Sequence, residues 1–107
     1  MLERRSEPRV RAALWVEVAG TDAQREPFSE RVIALNLSLN GGLLWGIEAE
    51  LRSGDIVTIA YFNRKAQFLV VWVMEESALG AEVAVRRLAE QPCPWEEALP
   101  AEVAGER

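Results

Sequence analysis

Apolar and polar residues alternate along most of this chain with the period of two that a half-buried strand requires. Val10, Ala12, Leu14, Val16 and Val18 occupy one phase, and Arg11, Ala13, Trp15 and Glu17 the other. That pattern predicts a first strand with a core on one side only. Ala19 through Pro27 is polar and holds Gly20 and Asp22, so it reads as a loop. A second strand is predicted from Phe28 to Leu35. Asn40-Gly41-Gly42 predicts a tight turn, because Asn and Gly reach positive φ at little cost, and Leu43 to Ile47 follows as a third strand. Ser53-Gly54-Asp55 turns the chain into Ile56–Phe62, and Asn63-Arg64-Lys65 reads as a hairpin tip before Ala66–Met74. Ser77 to Gly80 is a further turn ahead of Ala81–Leu88. Six short strands separated by turn residues predict an all-β barrel or sandwich.

The end of the chain breaks this rhythm. Pro92 and Pro94 stop the last strand, since neither can donate to a ladder. Trp95–Val103 reads as a helical turn or two interrupted by Pro100, with Trp95 folding back to plug the barrel, or else as a frayed acidic tail. At 107 residues there is room for one domain and no second core. The boundaries that follow are a flexible ligand-binding loop over 1–9, a barrel over 10–90 and an acidic tail or short helix over 91–107.

Charge sharpens the picture. The net charge of −5 argues against a protein that coats nucleic acid through its overall field. Residues 1–11 nevertheless carry Arg4, Arg5, Arg9 and Arg11 against Glu3 and Glu7, whereas residues 88–107 carry five glutamates against Arg107. One end suits an anion and the other repels it. Cys93 is alone, which excludes an internal disulfide and a cysteine zinc cluster, and no metal is expected. The opening Met-Leu-Glu-Arg-Arg lacks the apolar core of a signal peptide, and no apolar run approaches about 18 residues. A cytoplasmic protein without a membrane span is the expectation.

Catalysis is poorly provided for. The chain has no histidine, so Ser38 lacks a base to activate it, and no carboxylate pair stands out. Lys65 sits where a hairpin tip is predicted, a poor place for a desolvated, lowered pKa. The expectation is that this is not an enzyme. Binding is better provided for. Arg5-Ser6-Glu7-Pro8-Arg9 forms an RxxxR element with Arg4 just before it. Pro8 biases Glu7 toward extended backbone, which sets the two arginines about 13 Å apart. That spacing suits a ligand with two separated anionic or purine groups; it also suits a solvated basic terminus. Guanidinium forks match phosphate oxygens and the O6/N7 edge of guanine. The second element is Asn36-Leu37-Ser38-Leu39-Asn40-Gly41, a [DN]xSxxG match. If the strand persists, Asn36 and Ser38 offer an amide and a hydroxyl on one face, and Gly41 lets backbone approach a ligand. The plain alternative is an ordinary β-turn with polar side chains. Trp15 and Trp45 suit either purine stacking or packing in the core and at the barrel ends.

In combination, RxxxR at Arg5–Arg9 and [DN]xSxxG at Asn36–Gly41 resemble the PilZ family. The Gly54-Asp55-Ile56-Val57 turn, the Val70-Val71-Trp72 stretch and the alternation at Glu82–Leu88 match it too, so the resemblance covers residues 4 to 88. It implies a six-stranded antiparallel barrel that binds cyclic di-GMP on its outer surface. Arg5 and Arg9 would contact phosphates and guanine edges, Asn36 and Ser38 would bond a guanine, and Gly41 would allow close approach. Arg4 adds a third guanidinium, which suits cyclic di-GMP bound as an intercalated dimer. The chain departs from the family at Arg87, where an aromatic is usual, and at Asn40, where a glycine is usual. The function implied is a sensor whose loop order and surface change on binding and are read by a partner protein. Two rivals stand beside it: a PilZ-like adaptor that binds no ligand, and a small barrel for single-stranded nucleic acid.

Overall fold

The structure, a computed structural model, describes residues 12–77 and 80–99. Arg4, Arg5, Arg9 and the loop over 1–9 lie outside the described residues. Six strands run in order: β1 Leu14–Thr21, β2 Pro27–Leu35, β3 Gly41–Ile47, β4 Ile56–Tyr61, β5 Arg64–Ser77 and β6 Gly80–Arg87. They close into an antiparallel barrel with neighbours β1-β2-β3-β6-β5-β4. The six-stranded barrel expected from the resemblance is therefore the fold, and the sandwich is not.

Alternation builds the interior. Val16 and Val18 of β1, Val32 and Ala34 of β2, Val57 and Ile59 of β4 and Val83 and Val85 of β6 all point inward and are buried. Phe68 and Val70 complete the filling from β5. At roughly 1.5–3 kcal/mol for each fully buried large side chain, this interior is the main source of stability. The barrel closes where β1 meets β4, through Glu17↔Ala60, Val18↔Ile59 and Ala19↔Thr58.

Several boundaries differ from the sequence expectation. The loop predicted over Ala19–Pro27 is mostly strand: Ala19, Gly20 and Thr21 pair with Ser29, Phe28 and Pro27. Polarity misleads there because this hairpin end projects into solvent. The Asp22 carboxylate organises the short turn, accepting from the Gln24 and Glu26 amides at 2.9 Å each. The β4–β5 tip is Phe62-Asn63 rather than Asn63-Arg64-Lys65, since Arg64 pairs with Tyr61 and Lys65 with Ala60. The turn expected at Asn40-Gly41-Gly42 falls earlier, because both glycines already belong to β3 and pair with Arg86 and Val85.

At the C-terminal end, one 3-10 turn, Glu96–Ala98, replaces the predicted helix within the described residues. Trp95 is fully buried and packs against Phe68 with ring centroids 5.2 Å apart. It plugs one end of the barrel, as anticipated. The other three tryptophans face outward, against the expectation of core or barrel-end packing for Trp15 and Trp45. Each sits in the outward phase of its strand or beside a bulge, so alternation sends it to solvent. Among the described residues, no helix is long and apolar enough to cross a membrane.

A candidate ligand groove beside the Asn36–Gly41 loop

β2 ends at Leu35, and Asn36 turns the chain out of the sheet with φ of 54°. Asn tolerates this left-handed conformation better than most residues because its short polar side chain bonds locally. Neither Asn40 nor Gly41 has positive φ, so the turn geometry expected there is carried by Asn36 instead. Gly41 is required for another reason. A Cβ built on it would lie 2.2 Å from the Val85 carbonyl oxygen, a contact that no side chain relieves. β3 thus begins hard against β6. At Gly42 a Cβ would meet the Leu37 side chain at 2.8 Å.

The loop is fastened from beneath. The Ser38 amide donates to the Gly41 carbonyl at 2.9 Å, and the Ser38 hydroxyl accepts from the Asn40 amide at 3.3 Å. Ser38 is fully buried, so it and the half-buried Asn36 do not offer one common face to solvent. The shared face needed the strand to persist, and it ends before Asn36. The Trp95 indole N–H donates to the Ser38 carbonyl at 2.8 Å. Arg87 holds the other flank: its amide donates to Asn40 O at 2.6 Å and its Nε to Leu39 O at 2.9 Å. Its terminal nitrogens reach the Asn40 side-chain oxygen and the Gln91 carbonyl. One guanidinium ties together the loop, the end of β6 and the segment leading to Trp95. Arg87 in place of an aromatic therefore does not loosen this edge; it secures it.

Above this support lies an open groove of about 420 Å³. Asn36, Asn40, Gly41 and Gly42 form one wall, and Val71, Trp72, Ala84 and Arg86 the other. The volume falls in the range of small-ligand sites. An amide, an exposed guanidinium and a part-exposed indole converge on one space, a combination suited to a planar base with an attached anion. Of the residues singled out in the sequence, Asn36 and Gly41 line the groove and Ser38 underlies it. Trp15 and Trp45 are not part of it.

Trp72 and Arg86 are site residues that the motifs do not reveal. The pairing slips between Val70 and Trp72, and this irregularity leaves Val71 and Trp72 both exposed. The unbroken apolar run Leu69-Val70-Val71-Trp72-Val73 was the available signal, since a regular strand with one wet face should alternate. Arg87 carried a signal of its own: it shares the inward phase of Ala81, Val83 and Val85. A cation in core phase at a strand end implies waiting acceptors. Among the described residues, no group of three His, Cys, Asp or Glu side chains is placed to hold a metal ion. No family model, curated protein or solved structure matches this chain.

Proposed function

We propose that this chain is a PilZ-type barrel that binds cyclic di-GMP and acts by binding rather than catalysis. The observation that carries this reading is the groove beside the Asn36–Gly41 loop, where an amide, Trp72 and Arg86 surround about 420 Å³. Trp72 supplies a stacking plane for a base, a contact worth about 1–3 kcal/mol. Arg86 supplies a forked donor for a phosphate or for guanine O6/N7. The loop is pre-fastened by Arg87 and Trp95, so little ordering free energy is lost when Asn36 meets a ligand. Chain connectivity adds support. Leu14 pairs with Ala34, two residues before Asn36, so the N-terminal segment joins β1 at the groove's end of the barrel. Three residue steps separate Arg9 from Ala12, a reach of roughly 10 Å.

The protein so read is a cytoplasmic bacterial sensor without a cofactor, whose ligand-bound surface a partner protein recognises. Arg5→Ala and Arg9→Ala are each expected to abolish measurable binding, since each removes charge-assisted hydrogen bonds worth about 1.5–3 kcal/mol. A thermal-shift titration with cyclic di-GMP, GTP and a short oligonucleotide tests the reading. Stabilisation by cyclic di-GMP alone, lost in both arginine variants, supports it. Equal stabilisation by the oligonucleotide assigns a nucleic-acid barrel, and no response to any of the three leaves an adaptor.

A further inference from the structure

On the side of the barrel away from the groove, β1 and β4 part before either strand ends. Their ladder consists of Glu17↔Ala60, Val18↔Ile59 and Ala19↔Thr58, although β1 begins at Leu14 and β4 runs on to Tyr61. A cleft of about 440 Å³ opens where the pairing stops, within the range of small-ligand sites. Trp15 walls it on one strand, and Tyr61 and Phe62 wall it at the end of the other. Ala13 and Ala60, which also line it, take up little room. Phe62 is held at φ 57° with 87% of its surface exposed, and both conditions work against a bulky apolar side chain. Its ring is set edge-on against Tyr61 with centroids 4.6 Å apart, which gives the wall a defined orientation. Carried two residues past Glu17↔Ala60, the same register would bring Trp15 level with Phe62. A strained, exposed aromatic beside an open cleft, facing a second exposed aromatic, serves binding rather than folding.

Charge selects the occupant. Arg31 reaches the cleft from β2, lies over the Trp15 ring at 5.0 Å, and makes no ion pair among the described residues. Glu17, its partner across the β1–β2 register, also lines the cleft, but its carboxylate accepts from the Ser29 hydroxyl at 3.3 Å. The guanidinium plane therefore backs the indole while its forked donors stay available to a planar anion. A cationic ligand would have to settle beside Arg31, where like charges repel. We propose that this cleft binds a flat aromatic acid, its ring stacked against Trp15 and Phe62 and its carboxylate paired with Arg31. The site is separate from the groove, since β1 and β6 lie three strands apart around the ring, and it does not depend on cyclic di-GMP.

Titration of the full chain with naphthoate, followed by amide NMR shifts, tests the proposal. Naphthamide, cyclohexanecarboxylate and naphthylmethylammonium serve as the uncharged, non-aromatic and cationic comparisons. Naphthoate is expected to bind with a Kd of about 0.1–1 mM, as a fragment of its size can. Its shifts should concentrate at Ala13–Glu17 and Ala60–Phe62, and the three comparison compounds should bind about tenfold more weakly or worse. Phe62→Leu, which keeps bulk without a ring plane, and Phe62→Gly should each weaken naphthoate about tenfold, whereas Phe62→Tyr should retain it. Arg31→Gln should cost a similar factor and erase the preference for naphthoate over naphthamide. Circular dichroism is expected to show all four variants folded, because both positions face solvent, and Trp45→Leu outside the cleft should bind as the wild type does. No binding up to about 10 mM naphthoate overturns the proposal. So do shifts centred instead on Gly42 and Ala84 in the groove, wild-type affinity in Phe62→Gly or Arg31→Gln, or an ammonium that binds as tightly as the acid.

Discussion

Asn36 and Gly41 shape the same loop by different means, and substitution separates them. Asn36 already occupies the conformation glycine prefers, at φ 54°. Asn36→Gly is expected to change stability by no more than about 1 kcal/mol, while loss of the amide weakens cyclic di-GMP binding about tenfold. Paired denaturation and calorimetry check both halves, and unchanged affinity would remove Asn36 from the site. Gly41→Ala should behave in the opposite sense. The added Cβ meets backbone, not a movable side chain, so β3 and β6 must separate at a cost of about 2–3 kcal/mol. A variant that melts with the wild type would show that the approach of the two strands is looser than described. Ser38 belongs with Gly41 rather than Asn36, because its hydroxyl is buried within the loop.

Among the elements, the β4–β5 hairpin is built against its own preference. Its two-residue tip places Phe62 at φ 57° with 87% of its surface exposed. A bulky side chain gains nothing from such exposure and strains the left-handed region, where hairpins of this kind favour glycine. Phe62→Gly should therefore stabilise the fold by about 0.5–1 kcal/mol, which raises Tm by a few degrees in a domain of this size. A lower Tm in that variant would mean that the Phe62–Tyr61 ring contact outweighs the strain. The hairpin also shows what a sequence exposes and what it conceals. Alternation together with the turn residues between apolar runs revealed the six strands, although β5 breaks its alternation between Val70 and Trp72. It misplaced the ends at Thr21, Pro27, Arg64 and Gly41, where polar or glycine residues pair across strands and only the partner's register marks the boundary. The β1–β4 closure joins strands far apart in the chain and leaves no local signature. The [DN]xSxxG element marked where the groove lies, but its Asn–Ser geometry depended on β2 persisting past Leu35, where it ends. Arg86 and Trp72 entered the groove from β6 and β5, strands that the resemblance matched without giving either residue a role.

For the molecule as a whole, the remaining expectation is stoichiometric. Cyclic di-GMP can stack as an intercalated pair with four negative charges, and such a pair needs more cationic donors than one molecule does. Arg4, Arg5 and Arg9 lie within six residues of one another, and Arg86 lines the groove. Two ligand molecules per chain are therefore expected, with Arg4→Leu shifting the ratio toward one. Titration at protein concentrations well above the dissociation constant reads this directly, and an equivalence point of one in the wild type refutes it. Added salt should weaken binding in either case, because the exposed guanidiniums are screened within about 10 Å at 0.1 M.

The Trp95 indole has a consequence of an optical kind. Three of the four tryptophans look into solvent, and the fourth is sealed at the barrel's end with its N–H on the Ser38 carbonyl. A water-soluble quencher will extinguish the three and spare the fourth. What remains is a single emitter bonded to the underside of the groove, so its colour and lifetime record the state of that loop without any added label.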